Sequence, residues 1–351
     1  MSPAGKAVSA YAWHFVPAVA LVGLVCELFY VKTGFGKYVS LAWGFLIALD
    51  IILKPLENHL RTWTNPPSLA LLPIIPLYLL SLAAGIATVT EPAIGVHEAH
   101  SMAIIVGFGG ALFMVPGLHL LAHRRDVTSI LLTDVASVLI SYPHFTESHE
   151  NHHREVGTPK DNATARVGES FYKYFERSFF GGLAKAATPS FLSLTSPVYA
   201  LESMRLPIKL LLVPVAYGFI AFIGGSPAVI FLALTSIIAI VVIELTNFVQ
   251  HYGLISNDRE NAMHPRAWDS PSLVSNVLLL GLPSHDAHHR EPSELDGHEQ
   301  LKGERRFLPT SILLMYALPL FPPVWQYVMD PRVAEVMKSG NYQDDNSTVT
   351  L

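Results

Sequence analysis

Charge and cysteine are scarce in this chain of 351 residues. Only 15% of the residues are charged, against about 25% in an average soluble domain, which argues against a water-soluble globule. The single cysteine, Cys26, excludes an intramolecular disulfide framework, a CxxC metal knuckle and a fused cysteine-ligated iron–sulfur domain. The net charge is −5 and no basic block is present, so nucleic acid is not indicated as a partner.

Long apolar runs fill much of the sequence, which is 51% hydrophobic. A helix needs about 20 apolar residues to cross the hydrocarbon core of a bilayer. Six stretches approach this length, and the first is too long and too weakly flanked to be a cleaved signal peptide. The predicted spans are 11–31, 39–53, 69–89, 101–121, 206–223 and 228–249.

The cations are concentrated in two polar segments. Residues 121–205 carry nine Lys and Arg residues and residues 249–351 carry eight, whereas the link 90–100 carries none. Cytoplasmic segments are enriched in Lys and Arg, so both segments and both termini are predicted to be cytoplasmic. The prediction is an all-α integral membrane bundle of about six transmembrane helices with a cytoplasmic helical cap.

Two further apolar stretches are too short or too rich in proline to be clear spans. Residues 128–142 fit an interfacial or re-entrant helix. Residues 308–329 fit a helix packed against the membrane face. We expect a single domain over 1–340, followed by a polar tail at 341–351.

Histidine is unusually frequent, with 16 residues; eight of them lie in tight motifs, and a ninth is singled out by its position. One motif is HxxxH, two are HxxHH, and one histidine directly follows the sixth span. Residues at i, i+3 and i+4 share one face of a helix. Under the predicted topology all nine meet at one boundary between membrane and cytoplasm: His119, His123, His149, His152, His153, His251, His285, His288 and His289.

These nine histidines point to transition-metal chemistry. Neutral imidazole is a good ligand for iron, copper and zinc. One ion with an open position uses three or four protein ligands, so nine suit two ions. Zinc hydrolases of the HExxH type carry a general-base Glu that 119–123 lacks. Oxygen chemistry on a lipophilic substrate is therefore favoured.

Several other polar residues are candidates for orienting the ligands by hydrogen bonds to the ring nitrogen that does not bind the metal. Glu244 and Asn247 share a helix face with His251, and His144 lies five residues before His149. The remaining candidates are acidic: Glu150, Asp161 and Asp286. In contrast, His97 and His100 lie in the outer link and are expected at the surface.

Four segments resemble the membrane alkane 1-monooxygenases. Residues 149–172 resemble the second histidine region of that family, and 247–254 (NFVQHYGL) resembles its NYVEHYGL signature. Residues 282–289 (LPSHDAHH) look like its LQRHSDHH box, and 328–333 are also similar.

The resemblance implies a six-helix membrane bundle with two iron ions held by those nine histidines. It also implies an enzyme that uses O2 to insert one oxygen atom into a terminal C–H bond of an alkyl chain from the bilayer. Electrons would come from a rubredoxin, itself reduced by an NAD(P)H-dependent reductase. The implied location is the inner membrane of a bacterium.

The sequence departs from that family at three places. The first box, usually HELGH, reads HLLAH, and the second has two residues rather than three before its HH pair, as in desaturases. The Glu of the signature is Gln250. These departures leave every ligand candidate in place, with His144 as an alternative to His149.

Two other functions fit parts of the pattern. A membrane fatty acid or lipid desaturase or hydroxylase has the same three-box spacing, although the His251 signature favours the alkane-type enzymes. A metal or proton transporter is the least favoured, because transporters place ionisable groups near the bilayer midplane. Here the histidines fall at helix ends.

Overall fold

The computed structural model describes residues 15–30, 45, 48–50, 68–188, 197–256, 265–270, 272–290 and 306–339. These residues are mostly helical, in agreement with the predicted class. The predicted second span, 39–53, lies outside the described residues except for 45 and 48–50. The predicted tail, 341–351, lies wholly outside them.

The described helices follow one another along the chain with few other elements between them. They are α1 (Val16–Tyr30), α2 (Ser68–Leu71), α3 (Ile74–Val89), α4 (Val96–Ile104), a π-helical turn (Ile105–Gly110), α5 (Ala111–Ala122), α6 (Val127–Leu139), α7 (Phe145–Glu155), α8 (Phe171–Ala187), α9 (Pro197–His251), α10 (Leu273–Leu278), α11 (His285–Arg290), α12 (Ile312–Met315), a 3-10 turn (Leu318–Leu320) and α13 (Pro322–Ser339).

Three helical stretches are long and apolar enough to cross a membrane: Ser68–Val89, Val96–Ala122 and Met204–His251. The first two correspond to the predicted third and fourth spans, although the fourth begins at Val96 rather than at residue 101. The described residues therefore form an integral membrane protein. That the chain makes six crossings stays a prediction.

Helix α9 is a hairpin that folds back at Gly225, where φ is 62° and ψ is −158°. Tyr217 and Ser236 lie on opposite sides of this break, and in a straight helix they would be about 28 Å apart. Instead, the Tyr217 hydroxyl is 3.0 Å from Ser141 Oγ, and Ser236 donates to the carbonyl of Leu139. The break lies inside the turn predicted between the fifth and sixth spans.

The short helix α6 packs against both arms of that hairpin and also against α5. Asp126 caps its N-terminus by accepting a hydrogen bond from the backbone N–H of Ser129. Ser141, with φ of 56°, turns the chain directly after it into α7. This helix matches the predicted 128–142 segment, and its depth in a bilayer stays a prediction.

Two strands of two residues each, β1 (Trp268–Asp269) and β2 (Arg306–Phe307), pair in parallel. The all-α expectation missed them, because two-residue strands leave no alternation in a sequence. Further along, prolines break the predicted helix at 308–329, and the long C-terminal helix α13 begins only at Pro322. Its Trp325 ring packs 5.2 Å from the rings of Phe248 and Tyr252, beneath the end of α9.

Candidate metal centre

The first two histidines lie at the C-terminal end of α5. His119 is in its last turn and His123 is the residue that caps it. They stand one helical turn apart, and their ring centroids are 5.4 Å from each other. His119 is buried, whereas His123 lies at the edge of the site and is half-buried.

Helix α7 carries the second motif and α11 carries the third. His149 and His152 are buried on α7, and His153 beside them is half-buried. Leu280 and Gly281, with φ of 53° and 78°, turn the chain shortly before α11. Every histidine of α11 is buried.

The four histidine segments converge into two groups in which the candidate ligand atoms all lie within 4.8 Å of one another. All nine histidines singled out in the sequence are included. The first group is His119, His123, His149, His153 and His288, and the second is His152, His251, His285 and His289.

Each HxxHH motif contributes two histidines to one group and one histidine to the other. In α7 the i and i+4 residues join the first group, and His152 at i+3 joins the second. In α11 the i and i+4 residues join the second group, and His288 at i+3 joins the first. On a helix, i and i+4 are about 40° apart and i+3 and i+4 about 100°, so each helix faces both groups.

Ring nitrogens face one another at short distances within each group. Nε2 of His288 lies 2.7 Å from that of His119 and 3.1 Å from that of His123. In the second group, Nε2 of His152 lies 3.2 Å from Nε2 of His251. A neutral imidazole has only one N–H, so protons alone cannot satisfy such a cluster of converging nitrogens.

Burial favours the neutral form of several of these imidazoles. Burial first, and then the charge of neighbouring histidines, lowers the pKa of His149, His285 and His289 well below the ordinary value. Burial also lowers the pKa of His123 to about 4. The neutral form is the one that binds a metal.

The residues therefore fit a metal ion. Both ring nitrogens of His153 are buried without a hydrogen-bond partner, which is costly unless something else binds them. Imidazole donors suit iron, copper or zinc and not magnesium or calcium. The two clusters could hold a metal.

Two ligand candidates, His152 and His251, are held through Nδ1, the ring nitrogen that faces away from the other histidine. His152 Nδ1 lies 2.8 Å from Oδ2 of Asp161, which also accepts a hydrogen bond from the Thr164 hydroxyl. Burial would raise the pKa of Asp161, but His152, Thr164 and a backbone N–H outweigh it, and the pKa is lowered. His251 Nδ1 lies 2.8 Å from the carbonyl oxygen of Arg266.

Asp286 is close to the centre, and among the described residues its carboxylate bonds to Arg266 and Arg290 rather than to an imidazole. Its Oδ1 accepts from the backbone N–H of Arg266 and its Oδ2 accepts from Nε of Arg290. Because the Arg266 carbonyl in turn meets His251, Asp286 fixes that ligand candidate through one intervening residue.

The other predicted orienting residues occupy different places. Glu244 is buried and accepts a hydrogen bond from the Tyr142 hydroxyl at 2.5 Å, and Asn247 is half-buried on the same helix. His144 is buried against the carbonyl of Phe179 and belongs to neither group. Glu150 is exposed and pairs with Arg125. His97 and His100 are exposed.

Sequence reasoning missed some supports of the third motif. Asp269 accepts a hydrogen bond from the backbone N–H of Asp286 at 3.0 Å. Asp50, buried at the end of the predicted second span, accepts hydrogen bonds from the hydroxyls of Ser272 and Ser311 and from the backbone N–H of Ser275. No local pattern could reveal Asp50, because its partners are more than 200 residues away in the chain.

A pocket borders both histidine groups. His119 and His149 of the first group and His152 and His285 of the second line its inner end. Its remaining walls come mainly from α7, α8 and α9 and the loop after α7, and they combine polar side chains with apolar ones such as Phe145, Ile243 and Leu282.

The chain can be placed in a family by comparison with known proteins. The family model described as fatty acid desaturase matches residues 99–295, more than half of the chain. The chain belongs to this family. The matched region contains all nine histidines of the two groups.

Curated relatives extend the similarity over almost the whole chain and confirm the resemblance to the alkane 1-monooxygenases. Alkane 1-monooxygenase 1 of Alcanivorax borkumensis is 26% identical over 91% of this chain and 83% of its own length. The alkane 1-monooxygenase of Acinetobacter baylyi is 25% identical over 93% and 86%. That of Ectopseudomonas oleovorans is 25% identical over 91% and 83%.

Proposed function

We propose that this protein is a membrane non-haem di-iron monooxygenase that hydroxylates the terminal carbon of alkanes or related alkyl chains. The observation that carries the proposal is the convergence of nine histidines from four segments into two groups. The relatives named alkane 1-monooxygenase support the reaction, and the family match supports the metal-dependent oxidation of a lipophilic substrate.

The two groups would each hold one iron ion, with His119, His123, His149, His153 and His288 on one and His152, His251, His285 and His289 on the other. When bound, the metal ions supply the activation of O2 that allows a terminal C–H bond to be broken. The chain's own part is to position and orient. Asp161 holds His152, and the Arg266 carbonyl holds His251. Burial favours the neutral form of other members, among them His149, His285 and His289.

Electrons must come from another protein, since Cys26 alone cannot hold an iron–sulfur centre. We propose a rubredoxin-type donor that an NAD(P)H-dependent reductase reduces. The proposed site of action is the bacterial inner membrane, with the histidine groups and both termini on the cytoplasmic side. The half-buried His123 and His153 are the members of the groups that lie closest to solvent.

Product analysis tests this proposal most simply. Membranes containing the protein are incubated with alkanes and fatty acids of graded length, O2, and a reductase and rubredoxin pair. A terminal alcohol that carries one atom from 18O2 is expected, and His288→Ala membranes are the matched control. No oxygenated product from any chain would refute the proposal.

Desaturation is the second candidate, and the family match favours keeping it in the same assay. A desaturase removes two hydrogen atoms and leaves a double bond without incorporating oxygen. A new double bond with no alcohol would establish that function instead.

A further inference from the structure

The pocket beside the histidine groups has a polar outer end. Asn151, Asn162 and Lys185 line that end and are half-buried, so the pocket leads from the histidines towards solvent. Between the two ends lie Ser178 of α8 and Asn247 of α9. A hydrocarbon filling this space would lie against Asn151, Asn162, Lys185 and Asn247 and keep water away from them, which is unfavourable for polar groups.

Buried polar atoms without a protein partner are concentrated around the same pocket. Ser148 Oγ and Gln250 Oε1 belong to lining residues and have no hydrogen-bond partner. Glu244 lies beside the pocket, and its Oε1 accepts a hydrogen bond from the lining residue Tyr142. Gln250 and Glu244 are fully buried. Buried groups of this kind in folded proteins are usually bound by ordered water.

Gly182 keeps the pocket open where α7 and α8 approach each other. A Cβ atom at this position would lie only 2.8 Å from Ser148 Oγ. Gly182 itself lines the pocket, so a larger side chain would project into the space that the unpartnered groups face.

We propose that this pocket holds a chain of ordered water molecules that carries protons to the histidine groups and lets product water leave. This proposal rests on the proposed function, because hydroxylation is the reaction that consumes the protons. Hydroxylation of RH consumes one O2, two electrons from the protein donor and two protons, and yields ROH and one H2O. The alkyl chain then reaches the histidines by a different route.

A structure of the metal-loaded, full-length protein in lipid nanodiscs, at a resolution that shows ordered water, tests the water chain directly. Water is expected within hydrogen-bond distance of Ser148 Oγ and Gln250 Oε1, in a continuous row towards Lys185. Hydrocarbon density in the pocket, or a dry pocket, would overturn the proposal.

A larger side chain at the pocket wall tests whether the pocket delivers protons to the histidine groups. In Gly182→Val, metal content should stay at the wild-type value while turnover falls at least about tenfold and its solvent deuterium isotope effect rises, because proton transfer becomes limiting. Ala184→Val is the matched control, since Ala184 is exposed on the same helix. Equal turnover and isotope effect in the two variants would contradict the proposal.

A second variant keeps the test valid if Gly182→Val does not fold. Gln250→Leu preserves the size of the side chain but removes the free acceptor, so the water beside it should vanish from the map and the isotope effect should rise. An unchanged isotope effect would count against the water chain. Water in the pocket of a protein that oxidises no alkyl chain would overturn the proposed function and support the water chain.

Discussion

Nδ1 of His152 lies 2.8 Å from a carboxylate oxygen of Asp161, while Nε2 of the same ring lies 3.2 Å from Nε2 of His251. The carboxylate favours the tautomer with its proton on Nδ1, so the Nε2 lone pair points at the second histidine group. Asp161, which is outside the groups, thereby sets both the orientation and the tautomer of His152, which is inside one of them.

Replacement of that carboxylate should weaken metal binding without preventing it. In Asp161→Asn, we expect the affinity of the second group to fall about 10- to 100-fold, the usual effect of losing a partner behind a metal-bound imidazole. Titration of apo-protein with iron against a competing chelator measures this. Glu176→Gln, at an exposed position of α8, is the control. Identical affinities in the two variants would show that Asp161 does not support His152.

His152 of α7 belongs to the second group and His288 of α11 to the first, so a substitution at each position should remove a different ion. His152→Ala should lose metal from the second group and His288→Ala from the first, and both should abolish activity. His97→Ala should affect neither metal nor activity, because His97 is exposed and far from the groups in sequence. Metal analysis and Mössbauer spectra of purified variants provide the check. A fully active, iron-replete His288→Ala protein would refute the ligand assignment.

Gln250 departs from the Glu of the similar signature, and it is buried with Nε2 donating to the carbonyl of Leu282 at 3.1 Å. Gln250→Glu should keep iron and change activity only modestly, because the residue belongs to neither histidine group. Iron content and turnover of the purified variant decide the matter. Measurable loss of iron would place Gln250 closer to the metal than we propose.

A partly buried ion pair joins the hairpin α9 to the helix that carries the second motif. Lys209 Nζ lies 2.8 Å from Glu147, and the lysine side chain is only 2% exposed. Lys209→Met should lower the free energy of unfolding by about 3 kcal/mol, since it leaves a carboxylate without its cation. Thermal unfolding reports the loss, and Lys209→Met combined with Glu147→Gln should recover part of it. No recovery in the double variant would mean that the pair is not the cause.

Eight of the nine histidines could be found from the sequence because their spacing is local, and His251 was indicated by its place after the sixth span and by the similar signature. The i, i+3 and i+4 positions identify a helix face without any knowledge of the fold. Their division could not be predicted, because His288 meets His119 and His123 only after helices 165 or more residues apart have packed together. For the same reason the Arg266 carbonyl, a backbone group, carried no signal as the partner of His251.

The fold was predictable to a similar extent. The spans ending at Val89 and near Ala122 follow from apolar length alone, and the break at Gly225 lies in the short turn expected there. The pairing of β1 with β2 depends on contacts across 38 residues and left no periodic pattern.

The two histidine groups are proposed to hold two iron ions, one in each group. The direct measurement is the metal content of the purified wild-type protein, expressed with iron supplied and analysed by mass spectrometry against protein concentration. We predict two iron atoms per chain. A single ion per chain, or zinc in both groups of an active protein, would contradict the account.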